Sequence, residues 1–168
     1  MNQAIFDRLD SENILFEKVE YLDKKCTELV NQVYGSSLPV AGNVAIFTHS
    51  ENEYHHLKLL TRSLIHSSTN SRQKYFQLLE PIKVGNNEYR WLYIRKPNSD
   101  SPQRGDIDFL LNQNEYNLFK QMVENGKIKY ARKYDRPNWD MIEIFDPKSD
   151  VLPYITTKLM AERVRLKD

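Results

Sequence analysis

The hydrophobic positions near the start of the chain have the spacing of an amphipathic helix. Apolar residues from Leu15 to Val33 step alternately by four and three positions, which places them on one stripe of a helix. Gly35 then ends the helix, because glycine adopts the left-handed conformation at little cost. The pattern predicts an amphipathic helix over residues 1–35. Residues 15–33 would either pack on the sheet of the same chain or form a homodimer.

Two later segments share one order of hydrophobic and polar positions, which suggests an internal duplication. Residues 50–54 read Ser-Glu-Asn-Glu-Tyr, and residues 112–116 read Asn-Gln-Asn-Glu-Tyr. Each segment follows an apolar run typical of a buried strand. Each also places a Glu three positions after a capping residue, which is the pattern of a capping box. Both segments therefore predict the start of a helix.

Two predicted strands follow each of these helices, so the repeated unit is β-α-β-β. The strand pairs are separated by turn-forming residues such as Gly, Asn and Pro. The predicted strands are residues 75–84 and 89–95 in the first copy, and residues 127–134 and 141–145 in the second.

These elements predict an α+β fold built on a duplicated domain at residues 40–155. Its copies, at about 43–96 and 105–155, would pair into one mixed sheet with the repeat helices on one face. The long N-terminal helix precedes this domain. Residues 156–168 are predicted to form a C-terminal helical tail, since Pro153 allows a new helix to begin and apolar residues follow at helical spacing.

Charge and composition exclude several classes of function. The chain has 24 Lys and Arg against 23 Asp and Glu, so no net field attracts nucleic acid or a membrane. Its single cysteine, Cys26, excludes an internal disulfide and a site of several thiolates, which favours a reducing compartment. We expect no signal peptide, because the first residues carry acids where a basic start is needed, and no run approaches about 20 apolar residues. We expect a soluble, cytoplasmic protein that partners with itself or with another protein.

No familiar catalytic or cofactor motif occurs in the chain. Phosphate-binding and dinucleotide-binding glycine loops, the nucleophile elbow and the paired cysteines of zinc sites are all missing. The four histidines cluster within residues 49–66 but lack the spacing of a helical metal site. We therefore expect no cofactor, and the predicted function is a binding or interaction module whose ligand is unidentified. Whether the protein is an enzyme stays open.

Three carboxylates and an arginine are the best candidates for a ligand site. Asp106 and Asp108 alternate with apolar residues, so both project from one face of a strand. Glu143 shares a strand face with large apolar residues, and Arg95 ends the last strand of the first copy. If these residues converge at the junction of the copies, they would bind an anionic ligand. Another interpretation is a structural network of ion pairs.

The same carboxylates support an alternative function as a divalent-metal-dependent enzyme. No metal is expected, but Asp106, Asp108 and Glu143 would be its ligands, because hard cations prefer carboxylate oxygens. The metal would polarise a bound oxygen or water.

A row of aromatic residues supports a second alternative. Tyr89, Trp91 and Tyr93 recur at period two and are predicted to share one face of a strand beside Arg95. Such a row stacks the bases of single-stranded nucleic acids, and it equally suits a core. Because the chain lacks net positive charge, nucleic acid is the weaker interpretation, and Trp91 and Tyr93 are kept as candidate ligand-binding residues.

Overall fold

A computed structural model describes the backbone of residues 3–168 and the side chains from Asp10 onwards. Helix α1 spans Gln3–Tyr34, so the first two residues of the predicted helix lie outside the described part. The predicted stripe, which includes Leu15, Leu22 and Leu29, is buried in the core of the same chain. A homodimer through residues 15–33 would therefore need another face of α1.

The long helix is followed by one seven-stranded mixed sheet with three shorter helices. The strands are hydrogen-bonded in the order β2-β3-β1-β4-β7-β6-β5. The α+β class and the mixed sheet are therefore confirmed. In chain order the elements are β1 (Val40–Phe47), α2 (Glu51–Thr61), β2 (Phe76–Val84), β3 (Asn87–Arg95), β4 (Gly105–Leu110), α3 (Gln113–Glu124), β5 (Ala131–Arg136), β6 (Trp139–Ile144), β7 (Tyr154–Thr156) and α4 (Lys158–Arg163).

Side chains alternate between the two faces of the sheet, and each face has its own apolar core. Val44 and Ile46 of β1 pack with residues of α1, α2 and α3 on what we call the α1 face. Ala45 and Phe47 pack with Val164, which follows α4, on what we call the α4 face. The predicted position of the two repeat helices on one face is confirmed.

The internal duplication is not confirmed, because the two segments pair their strands differently. In the first segment, β3 lies directly beside β1 and parallel to it. In the second segment, β7 lies between β4 and β6, parallel to β4 and antiparallel to β6. Strand β6 consequently runs antiparallel to β4. The segments share the order of their elements but not their topology.

Strand β7 also corrects the prediction of a helical tail from residue 156. Ile155 is fully buried and pairs with Phe109 on one side and Ile142 on the other. Such a short strand shows little periodicity of its own, and it forms because two neighbours supply its hydrogen bonds. The tail helix α4 is only the six residues Lys158–Arg163.

The two predicted capping boxes differ in the structure. At α3, Asn112 accepts from the backbone N–H of Glu115, and the Glu115 carboxylate accepts from the N–H of Asn112, so the box is complete. At α2, Ser50 accepts from the N–H of Glu53, but the Glu53 carboxylate accepts from the N–H of His49 instead. Only half of that predicted box forms.

The last residues of the chain lie along the segment before β2. The N–H groups of Lys74 and Tyr75 both donate to the carbonyl of Arg165, at 2.9 and 3.0 Å. The guanidinium of Arg72 donates to the carbonyl of Lys167. This pairing helps to enclose the α4 face. Of the described helices, none combines the length and the apolar composition that a bilayer crossing requires.

Candidate functional site

Strand register brings candidate residues from three strands together on the α4 face. Tyr93 of β3 pairs with Ala45 of β1, and Ala45 pairs with Asp106 of β4. Paired residues point to the same side of a sheet, so Tyr93 and Asp106 flank the small side chain of Ala45. At the end of the same strands, Phe47 pairs with Arg95. The residue between the acid and the tyrosine is small, which leaves space above the sheet.

A second row on this face joins two further acids. Asp108 pairs with Tyr154, Tyr154 with Glu143, and Glu143 with Arg132. Glu143 is 3% exposed, and both of its oxygens are engaged. Nε of Arg132 donates to Oε1 at 2.6 Å, and the Tyr154 hydroxyl donates to Oε2 at 2.9 Å. Glu143 is thus the acid of a satisfied ion pair.

Asp108 is also hydrogen-bonded within the protein. It is 1% exposed, and Nδ2 of Asn43 donates to its Oδ2 at 2.8 Å. Asn43 in turn accepts from Nε of Arg165 at 2.9 Å and donates to the carbonyl of Ala161. Burial raises the pKa of Asp108 to about 6, although the bond from Asn43 opposes the shift. This chain of contacts ties β4 to the C-terminal segment.

Asp106 differs from Glu143 because one of its buried oxygens has no hydrogen-bond partner. The residue is 7% exposed, and its Oδ1 is buried without a hydrogen bond. Burial raises the pKa of Asp106 well above its usual range, and the nearby Asp108 raises it further, while Lys74 and Arg95 oppose the shift. The neighbouring charges therefore influence the ionisation of the Asp106 carboxyl, and its Oδ1 can still take part in a hydrogen bond.

Arg95 has unused donors in the same region. Its Nε and Nη2 are both buried, and neither has a hydrogen-bond acceptor. The guanidinium lies over the ring of Phe47, with its Cζ 3.4 Å from the ring centroid. Stacking of this kind fixes the plane of the guanidinium. The structure thus brings an acid and an arginine, both with unmet hydrogen bonds, to one place.

A cavity of about 380 Å³ lies over these groups, and we call it the central cavity. This volume is within the range of small-ligand sites. The cavity is lined largely by aromatic and charged side chains. Its lining includes Phe47, Tyr75, Tyr93, Tyr134, Trp139, Tyr154, Met141, Lys74, Arg95, Arg136, Asp106 and Asp108.

Lys74 points its ammonium into the aromatic part of the central cavity. Its Nζ lies 5.2 Å from the ring centroid of Tyr93 and 5.8 Å from those of Tyr75 and Trp139. Among the described side chains, none forms an ion pair with Lys74. The rings hold this cation through their negative faces and leave its N–H groups available.

A larger cleft of about 520 Å³ lies between α1, α2 and the loop before β4, and several of its polar groups are already paired. The Tyr21 hydroxyl donates to Asp150 at 2.5 Å, and Arg104 contacts the same carboxylate at 3.0 Å. His49 lies beside Glu53 at 3.6 Å. Because the cleft presents no unmet buried group, we regard the central cavity as the candidate site.

The predicted metal ligands do not surround one point. Asp106 and Asp108 line the central cavity, whereas Glu143 does not. In the part of the chain whose side chains are described, no group of three or more His, Cys, Asp or Glu is arranged to hold a metal ion. The oxygens of Glu143 would have to leave Arg132 and Tyr154 before they could bind one.

The three residues of the predicted aromatic row lie on both faces of the sheet. The prediction that they share one face is therefore wrong. Tyr89 is fully buried on the α1 face, where its hydroxyl donates to Asp23 of α1 at 2.5 Å. Tyr93 lines the central cavity. Trp91 packs on the α4 face outside the cavity lining, beneath the guanidinium of Arg165 at 4.5 Å.

Irregular pairing around this end of β3 accounts for the division. The register shifts between Gln77 and Ile82 in the β2–β3 pair, and between Val40 and Val44 in the β1–β4 pair. Strict alternation of faces holds only where a strand is regularly paired. The period-two alternation therefore does not place Tyr89 on the same face as Tyr93.

Sequence reasoning missed several residues of the site. Lys74 and Tyr75 precede a strand and belong to no periodic pattern, and Asn43 lies in a strand as an isolated polar residue. A buried asparagine within an apolar strand is a usable signal, since it needs partners. Arg165 has no such signal, because only the return of the chain end places it beside Asn43.

Comparisons of the chain with models of protein families, with curated proteins and with solved structures found no match.

Proposed function

We propose that the protein is a binding module for a small polar molecule held in the central cavity. The observation that carries this proposal is the unmet hydrogen bonding of Asp106 and Arg95, which both line that cavity. A ligand would supply the acceptors and the donor that the protein itself does not provide.

Energetics favours a ligand over a purely structural role for these two residues. Leaving a buried polar group without a partner costs about 1–3 kcal/mol, and more when the group is charged. Glu143, on the same face of the sheet, illustrates a structural acid, because both of its oxygens have donors. A fold selected for stability alone would replace Asp106 and Arg95 by apolar residues. Unmet groups of this kind are typical of binding sites.

The two alternatives from the sequence have less support. A metal-dependent enzyme would require Glu143 to give up its contacts with Arg132 and Tyr154. Binding of single-stranded nucleic acid would require a continuous aromatic row, whereas Tyr89 lies under α1 and Trp91 under Arg165. Both remain predictions with their own tests, which are metal analysis of the purified protein and titration of a labelled single strand.

The proposal predicts that at least one class of small molecule raises the melting temperature. We would scan a panel of organic acids, amines, sugars and nucleosides by differential scanning fluorimetry. At about 100 times its Kd, a ligand should raise Tm by about 5 °C or more, because it binds only the folded state.

Matched variants assign such a shift to the central cavity. Arg95→Gln and Asp106→Asn should lose it. Arg90→Gln should keep it, because Arg90 lies on the same strand with its side chain exposed and paired with Glu88. A shift that survives in both cavity variants, or a panel in which no compound acts, would refute the proposal.

A further inference from the structure

Resting on the proposed function, we infer that the ligand of the central cavity is a small molecule with a flat body and one oxyanion group, a carboxylate or a phosphate ester. Its oxygens would accept hydrogen bonds from Nε and Nη2 of Arg95.

The unused donors of Arg95 lie on one edge of its guanidinium. Nε–H and Nη2–H point in parallel from this edge, at a spacing that suits the two oxygens of a carboxylate or a phosphate. The stack on Phe47 holds the edge in place. A single carbonyl oxygen can accept from both donors, as that of Lys167 does from Arg72. An oxyanion offers each donor its own oxygen and adds the attraction of opposite charges, so it is the stronger partner.

Arg132, on the edge strand β5 of the same sheet, shows the same edge of a guanidinium in use. Its Nε and Nη2 approach Oε1 of Glu143 at 2.6 and 2.5 Å. The side chain of Arg132 is 60% exposed, yet it forms an ion pair with a carboxylate. Arg95 offers the same pair of donors in a buried position, and no carboxylate among the described side chains accepts from them. An acid from outside the chain is the matching partner.

Charges around the central cavity favour an anion as well. Arg95 and Lys74 have no ion-pair partner among the described side chains, and Arg136 also lines the wall. Of the buried carboxyls, Asp108 is bonded to Asn43, so Asp106 is the one that faces the cavity with an unmet oxygen. Asp168 contributes at the lining too, but its side chain is exposed.

The aromatic walls argue against a cationic ligand and for a planar one. A cation would seek the faces of Tyr75, Tyr93 and Trp139, but the ammonium of Lys74 already lies over all three. Flat rings provide stacking surfaces for a planar body. A hydroxyl or amide on that body would donate a hydrogen bond to Oδ1 of Asp106.

Four probes that share a phenyl ring test the inference by isothermal titration calorimetry at millimolar concentration. Benzoate carries a carboxylate, phenyl phosphate a phosphate, benzamide a neutral amide and benzylamine a cation. We expect benzoate or phenyl phosphate to bind the wild-type protein, with benzamide at least about tenfold weaker because it lacks the second charged oxygen. The stronger of the two anions identifies the oxyanion.

Variants locate the anion. Arg95→Lys should weaken its binding by about tenfold to a hundredfold, since an ammonium cannot present two parallel donors. Arg90→Lys should bind as the wild type does. Lys74→Gln should also weaken anion binding, and it keeps the test decisive if Arg95→Lys fails to fold.

The outcomes separate this inference from the proposed function. Equal binding of benzamide and benzoate, or full affinity in Arg95→Lys and Lys74→Gln, would overturn the oxyanion. If only amines or neutral compounds bind in the cavity, the inference fails and the binding function stands. If neither the four probes nor the wider panel binds, both fail.

Discussion

Replacing Gly105 by alanine is expected to destabilise the protein by about 3 kcal/mol or more. Gly105 begins β4, which lies beside β1 in the sheet, and it packs against α1 on one face. A Cβ on it would lie 2.2 Å from the carbonyl oxygen of Ala45 and 2.7 Å from Cδ1 of Leu22. The nearest atom belongs to the backbone, so the clash is relieved only if the strands separate. Unfolding in urea, followed by circular dichroism, measures the loss.

Gly126 provides the matched control for this substitution. It follows α3 with φ +69°, and a Cβ there would meet no atom within 4 Å. The Gly126→Ala variant should therefore lose only about 1 kcal/mol, from the strained backbone conformation. Equal losses at the two positions would contradict the close approach of Gly105 to Ala45. Since Asp106 follows directly, Gly105→Ala should also disturb ligand binding in any fraction that still folds.

The Asp108→Asn variant is expected to differ from the wild type in the pH dependence of its stability. The folded pKa of Asp108, about 6, lies above its ordinary value of 3.8. The folded state therefore holds this proton more tightly, and the wild type loses stability as pH rises from about 4 to 6. This loss amounts to about 3 kcal/mol. Asparagine does not titrate, so the variant avoids it.

The measurement is the free energy of unfolding of both proteins between pH 3.5 and 8, at about 0.15 M salt. The wild type minus the variant should fall across the window from about 4 to 6 and more gently above it, because removing Asp108 also removes a charge that raises the pKa of Asp106. For Asp106→Asn the difference should begin at the same pH and continue further, because the pKa of Asp106 is raised well above its usual range. Differences that do not change with pH would contradict the buried state of both acids.

Local patterns predicted the parts of the site that depend on one strand at a time. The alternation of Asp106 and Asp108 with Ile107 and Phe109 places the acids together, because neighbouring residues of a strand face opposite sides. The same rule failed for Tyr89, where irregular pairing interrupts the alternation. Period-two reasoning is reliable only where the hydrogen-bonded neighbours are regular.

Strand order decided which of these residues meet. Arg95 lies near Asp106 because β3 and β4 both pair with β1, and Glu143 is kept apart from them because β7 lies between β4 and β6. Neither relation is encoded in a window of sequence, since a strand's partners are chosen by the packing of the whole sheet. The apparent duplication predicted two β-α-β-β units, and neither unit included the strand β7.

The sequence by itself determined the α+β class, the long helix with its apolar stripe and the start of α3, because spacing and capping are local properties. The tertiary structure alone decided the central cavity. Lys74 lines it, and Arg165 and Asn43 form the hydrogen-bond chain that holds Asp108 at its wall. These contacts exist only once the C-terminal segment lies beside the segment before β2. It also decided which acid is satisfied and which is not. That difference depends on donors brought near by folding, which no local pattern contains.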